Sequence, residues 1–136
     1  YREEDFVEAV LRHTEGRGVD VVLDMICGPY AERNTRALAP HGRLCFIAGD
    51  GGQDATFRVR DIMLKRLTIT GSTLRHRSVE DKGRVARILE RIVWPLFAQG
   101  RIKPVVDRRF SFDRVQEAHA AMEAGNVAGK IVLTLR

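Results

Sequence analysis

Gly18-Val19-Asp20-Val21-Val22-Leu23-Asp24-Met25-Ile26-Cys27-Gly28, followed by a helix-like segment and then His41-Gly42-Arg43-Leu44-Cys45-Phe46-Ile47-Ala48-Gly49, decides how this chain folds. Two nearly continuous apolar runs end in small residues and are joined by a helix. Strands that alternate apolar and polar residues have one wet face, whereas runs like these belong to parallel strands with helices expected on both faces. Open sheets of that kind bind ligands beyond the carboxyl ends of their strands. The small residues at those ends, Cys27-Gly28 and Ala48-Gly49, let a flat ligand ring approach the backbone closely.

Composition sets the scale. With 136 residues, 44% of them hydrophobic, and no biased tract, the chain can bury one real core and is globular. The net charge of +5 raises the question of nucleic acid, but 23 basic residues are interleaved with 18 acidic ones, as along the segment 79–91. That pattern reads as a solvated, ion-paired helix face. Arg75, His76, Arg77 and the region 101–109 carry positive charge with little aromatic support, so no nucleic-acid partner is expected. A non-enzymatic basic interaction module remains an alternative, and the steep salt dependence of phosphate binding in a gel shift would reveal it.

Cys27 and Cys45 both fall in expected buried strands, where a free thiol behaves as a small hydrophobe. They make neither a disulfide framework nor a zinc pattern, and no metal is expected. A reducing, cytoplasmic setting fits them. No signal peptide, membrane span or lipidation motif is legible, so no membrane partner is expected.

Outward from the opening stretch, residues 3–14 place Phe6, Val7, Val10 and Leu11 at helical spacing behind acidic residues that complement the helix dipole. Glu15-Gly16-Arg17-Gly18 breaks that helix before a strand over 19–25. A helix over 29–38 follows, with Pro29 suited to its first turn. Pro40-His41-Gly42 turns the chain into a strand over 43–48, and a glycine-bearing loop covers 50–55. A helix over 59–65 and a strand over 67–70 complete a series whose crossovers are right-handed. Residues 78–99 form one long amphipathic helix that Pro95 kinks or restarts. In the tail, a strand over 104–110, a helix capped by Ser111-Phe112-Asp113-Arg114 and a strand over 130–135 have a different texture.

A dinucleotide-binding domain carries G-x-G-x-x-G in its first strand-to-helix turn, with an acidic or basic selector about 20 residues later. Neither is present here, and Gly49-Asp50-Gly51-Gly52 opens no helix of fitting length. Tyr1 stands abruptly before a helix, as though a strand had been cut off.

The ordered series Tyr1-Arg2-Glu3-Glu4-Asp5-Phe6, Gly18 to Asp24, Leu38-Ala39-Pro40-His41-Gly42-Arg43, Thr70 to Arg77, Val115 to Glu123 and Ala128 to Leu133 resembles the carboxyl half of the zinc-free, zeta-crystallin-like NADPH:quinone oxidoreductases. These belong to the medium-chain dehydrogenase/reductase superfamily, and the likeness runs along essentially the whole chain. It implies an α/β fold: a partial Rossmann-like doubly wound parallel sheet over 1–100, then a C-terminal helix-strand segment over 101–136 that returns to a substrate domain. That amino-terminal substrate domain and the glycine loop lie outside this sequence.

The resemblance also implies a site. The cofactor is NADPH, with NADH as the alternative, and the acceptor is a quinone or conjugated carbonyl. Tyr1 matches a residue near the adenosine 2'-phosphate, and Ile26, Cys27 and Gly28, with Met25 before them, match a segment passing the cofactor ribose. Phe46, Ile47, Ala48, Gly49 and Asp50 match the wall against the nicotinamide and its ribose. Gly71, Ser72, Thr73 and Leu74, after Thr70, match the strand end whose backbone faces the nicotinamide amide.

Each has a plainer reading as core, strand exit or turn. No catalytic acid or base stands out: His13, His41, His76 and His119 are scattered, Asp24 reads as a strand-end cap, and Lys130 reads as structural. A quinone takes hydride directly, so positioning carries the chemistry. Zinc-free enoyl or crotonyl reductases of the same superfamily are the alternative enzyme reading. The chain by itself is expected to be an inactive fragment, and its unpaired sheet edge and apolar face are expected to drive self-association as a homo-oligomer.

Overall fold

The computed structural model describes residues 3–135, and the chain gathers into two compact units, Tyr1–Ser78 and Val79–Arg136. The first unit contains α1 (Phe6–His13), β1 (Val19–Asp24), α2 (Ala31–Ala37), β2 (Leu38–Phe46), α3 (Val59–Lys65) and β3 (Thr68–Gly71). Its sheet runs β1-β2-β3 with both pairings parallel. Parallel neighbours need a crossover between them, and α2 and α3 supply the two required here.

The entry to α1 shows why the helix begins where it does. Asp5 Oδ1 accepts hydrogen bonds from the Val7 N–H (2.7 Å) and the Glu8 N–H (3.3 Å), satisfying donors that have no partner inside a helix. Its other oxygen accepts from Arg33 Nη2 at 2.9 Å, and the Arg33 guanidinium lies 4.5 Å from the Phe6 ring centroid and 5.3 Å from that of Tyr30. One arginine therefore ties α1 to α2.

The Val7 N–H, then the Glu8 N–H and Arg33, hold the Asp5 carboxyl below its ordinary value of 3.8. A carboxyl lowered by folding stabilises fully above its unfolded pKa and loses that contribution as pH falls through the folded value. Thermal melting of the parent and of Asp5→Ala should therefore differ at neutral pH and converge below about pH 4. A melting difference that stays constant from neutral to strongly acidic buffer would contradict this account.

No glycine separates α2 from β2, so the last carbonyls of the helix need another donor. Lys65 supplies it from α3: its Nζ donates to the carbonyls of Thr35 (3.0 Å), Arg36 (2.9 Å) and Leu38 (2.6 Å). Partial burial pushes the Lys65 pKa down, and nearby Asp61 opposes that shift.

β2 begins earlier than its sequence suggests. The expected turn at Pro40-His41-Gly42 lies inside the strand as a bulge: the register passes from Val19↔Leu38 to Val21↔Arg43, with His41 at φ 64°. Pro40 has no N–H for the ladder, and a bulge accommodates such a residue.

The core lies on one side of the sheet. Val7, Ala31, Thr35, Ala37, Leu38 and Leu44 are buried between helices and strands. The other face departs from the expectation of helices on both sides: Val21, Leu23 and Met25 are 61%, 65% and 52% exposed. Continuous apolar character marks a strand made for burial, but burial needs a covering layer. An apolar groove of about 500 Å³ runs beside β1, lined by residues including Phe6, Val10, Val22 and Leu23.

The second unit contains α4 (Val79–Ile92), α5 (Trp94–Ala98), β4 (Val106–Ser111), α6 (Val115–Glu123) and β5 (Lys130–Thr134). Pro95 restarts the long helix, occupying the first turn of α5, where its missing N–H costs nothing. β4 and β5 pair in parallel, making β4-α6-β5 a crossover unit in its own right. Ser111 precedes a short 3-10 turn over Phe112–Arg114, but its side chain makes no capping bond, contrary to expectation. No helix among the described residues is long and apolar enough to cross a membrane.

Candidate functional site

At the carboxyl end of β1 the chain makes a constrained turn. Asp24 Oδ1 accepts from the Ile26 N–H at 2.7 Å and the Cys27 N–H at 3.0 Å, and Oδ2 accepts from Asn34 Nδ2 of α2 at 2.8 Å. Both side chains are buried. This is an Asx turn, in which a short carboxylate bonds its own backbone two residues on. Cys27, buried but beyond the strand rather than inside it, has φ 63° and ψ −146°, a region that side chains rarely occupy. Gly28 and Pro29 then open a 3-10 turn that leads into α2.

The exit of β2 is zipped onto this turn. The N–H groups of Ile47, Asp50 and Gly51 donate to the carbonyls of Asp24 (2.8 Å), Met25 (3.2 Å) and Ile26 (2.7 Å). The loops touch so closely that a Cβ added at Gly28, whose φ is +46°, would lie 2.7 Å from the Gly51 carbonyl oxygen. β3 joins the same edge through the Ser72 N–H, which donates to Phe46 O at 2.9 Å, while Arg77 Nη2 donates to Ser72 Oγ at 2.8 Å. Phe46 packs on Phe57 with ring centroids 6.4 Å apart.

The structure thus brings Ile26, Cys27, Gly28, Phe46, Ile47, Ala48, Gly49, Asp50, Gly71 and Ser72 to one sheet edge. Thr73 and Leu74 follow as exposed residues entering a turn closed by the Arg77 N–H on Leu74 O. Tyr1 lies outside the described residues. Ile47, Ala48 and Gly49 are exposed, so the edge offers an accessible wall of small side chains and backbone. A flat ring and its ribose fit a wall of this kind, because little side-chain bulk keeps them off the peptide groups.

Beside the loops lies a cavity of about 330 Å³, lined by Gly28, Pro29, Glu32, Gly51, Asp54 and Thr56. Glu32 is paired with Arg58 at 2.6 Å. Among the described residues no group of three or more His, Cys, Asp or Glu side chains is placed to hold a metal ion.

Sequence reasoning did not pick out Asn34 or Phe57. Asn34 had one available signal, a helix-borne amide ten residues after a strand-terminal aspartate. Gly51 was noted only as part of the Gly49-Asp50-Gly51-Gly52 loop, and its contact with Ile26 depends on which loop faces it.

Three parallel strands, crossover helices on a buried side and small exposed tips along one carboxyl edge define half of a nucleotide-binding α/β domain. A family profile described as zinc-binding dehydrogenase matches residues 1–133, and the chain belongs to that family, within the medium-chain dehydrogenase/reductase superfamily. It is 33% identical over 136 residues to L-threonine 3-dehydrogenase of Pyrococcus furiosus, a match covering 98% of this chain and 37% of that protein. A crystal structure of an NAD-dependent alcohol dehydrogenase superposes with a TM-score of 0.73 at 29% identity, covering 100% of this chain and 37% of that one. The enoyl reductase CurK does so with a TM-score of 0.66 at 25% identity, covering 96% and 39%. The chain therefore spans between a third and two fifths of the length of these relatives.

Proposed function

We propose that this chain is the cofactor-holding portion of an NADPH-dependent oxidoreductase that passes hydride to a quinone or a similar conjugated acceptor. The observation that carries this reading is the zipped edge, where the exits of β1, β2 and β3 bring Cys27-Gly28, Ala48-Gly49 and Gly71 to one carboxyl edge on a backbone held by cross-loop hydrogen bonds. Bound NADPH supplies the hydride. Residues 46–50 hold the nicotinamide and its ribose, Ile26, Cys27 and Gly28 bound the ribose path, and residues 71–74 turn backbone groups toward the amide. Holding ring and acceptor in contact is what hydride transfer requires of a protein. In the parent protein, residues 1–100 complete the cofactor domain and residues 101–136 return to the substrate domain.

Reduction of an enoyl thioester is the second reading, favoured by the likeness to CurK at 96% coverage of this chain. The test is NADPH and NADH oxidation by the full-length protein against a para-quinone and a 2-enoyl thioester, with L-threonine and NAD⁺ as a third arm. Faster turnover of the quinone supports the first reading. Turnover of the thioester alone moves the assignment to enoyl reduction, and an absence of nicotinamide binding by titration removes both.

Two outcomes are expected of the 136-residue chain alone. It should bind NADPH more weakly than a micromolar dissociation constant. Charge-assisted bonds contribute about 1.5–3 kcal/mol each, so losing two to the pyrophosphate weakens binding about 10²-fold to 10⁴-fold. Micromolar binding by calorimetry would refute this. The chain should also self-associate, because among the described residues β1 is an edge strand of its sheet, and Val21, Leu23 and Met25 form an exposed apolar row beside the groove. Sedimentation showing a monomer at every concentration would refute that.

A further inference from the structure

We infer that Asp24 is a positioning residue for the cofactor edge: its buried carboxylate sets the course of residues 25–28 and, through them, of the facing loop 47–51. This deepens the reading of the same site as a nicotinamide cofactor site and rests on it.

Asp24 is 5% exposed, and a carboxylate so far from water is tolerated only when its oxygens are well bonded. Both are, and every donor belongs to the structure that shapes the site. Oδ1 takes the Ile26 and Cys27 N–H groups, and Oδ2 takes the Asn34 amide from α2. The Asp24 main-chain carbonyl takes the Ile47 N–H as well, so one residue links the β1 exit, the β2 exit and α2.

The backbone conformation of Cys27 is the reason such a link is needed. At φ 63° and ψ −146° a residue with a side chain does not stay without surroundings that over-determine it. Asp24 fixes the N–H of Cys27 from one side, and the Gly51 N–H fixes the Ile26 carbonyl from the other at 2.7 Å. Relaxation of the turn would swing the Ile26 carbonyl away and release Gly51. The wall formed by Ala48 and Gly49 lies in that same loop, two to three residues before Gly51.

The same geometry argues against Asp24 as a proton donor or base. Both oxygens already accept hydrogen bonds from donors within the protein, and the carboxylate is 5% exposed, so its acceptor capacity is spent on the turn and on Asn34. Positioning instead predicts dependence on hydrogen-bond acceptance rather than on charge. In Asp24→Asn the amide oxygen can accept the same two N–H groups, while Asn34 rotates its carbonyl toward the new NH₂ group.

The experiment uses the full-length protein with Asp24→Ala, Asp24→Asn and Asn34→Ala. Asp24→Ala should raise KM for NADPH about tenfold or more while lowering kcat less than about threefold, and Asp24→Asn should restore KM to within about threefold of the parent. Asn34→Ala should lower the melting temperature and leave KM within about threefold, because the turn keeps both of its bonds.

Amide hydrogen exchange gives a readout without cofactor. Asp24→Ala should speed exchange at Gly51, whose own bond is to Ile26 rather than to Asp24. Unchanged Gly51 exchange, or an unchanged KM in Asp24→Ala, overturns the proposal. If Asp24→Ala fails to fold, Asp24→Asn decides: a collapsed kcat with a lost limb in the pH profile overturns positioning, and parent-like kinetics support it. A parent protein that binds no nicotinamide cofactor defeats the functional reading instead, and the exchange result still separates the two failures.

Discussion

Gly28→Ala is expected to force the two strand-end loops apart and to weaken both the fold and the cofactor edge. An L-residue in the left-handed half of backbone space costs about 1–2 kcal/mol. At Gly28, with φ +46°, a steric collision comes on top of that: the new Cβ would lie 2.7 Å from Gly51 O and 3.2 Å from Gly51 C. Backbone atoms cannot rotate away as a side chain would, so the loop over 49–52 must move. Moving it breaks the Gly51–Ile26 hydrogen bond at 2.7 Å and displaces the Ala48–Gly49 wall.

Each lost kcal/mol should lower the melting temperature by about 4–8 °C for a unit of this size. In the full-length protein, nicotinamide affinity should fall by about tenfold or more, equivalent to about 1.4 kcal/mol. Gly16→Ala is the matched control. Its φ is +83° but nothing lies within 4 Å of the added Cβ, so it bears backbone strain alone. Equal affinity losses in both variants would show that loop separation is not the cause.

Leu44→Ala should remove a large share of the stability of the first unit. Leu44 is 0% exposed in the central strand, opposite Val22 on β1 and Ile69 on β3. Truncating such a side chain loses its transfer free energy and leaves a cavity that a sheet held on both edges cannot close, costing about 2–5 kcal/mol. Whole domains are stable by only about 5–15 kcal/mol, so melting should fall by about 10–30 °C. Leu64→Ala on α3, where the side chain is 64% exposed, should change stability by less than about 0.5 kcal/mol. Similar melting temperatures for the two variants would mean that the core has been misplaced.

Much of the fold was legible because its signals are local. The apolar runs beginning at Val19 and Arg43 imply parallel strands, and both pairings are parallel. α3 spans Val59–Lys65 as its pattern predicts, and Pro95 restarts the long helix because a missing N–H acts wherever the residue stands. The candidate edge was legible in outline for a related reason: small residues at the ends of parallel strands must converge once those strands lie side by side.

The sequence by itself determined that this is a parallel α/β chain and which residues stand at its strand ends, since strand character and turn chemistry are written in short-range patterns. Only the tertiary structure decided that Val21, Leu23 and Met25 would lie open, that Pro40–Gly42 would bulge within β2, and that Asp24 would bind Asn34 and its own turn while Gly51 closed over Gly28. These depend on which surface covers a face and on hydrogen bonds between loops more than twenty residues apart, such as Gly51 to Ile26. A residue's own identity encodes what it is able to bond, but the partner it meets is chosen when the whole unit packs.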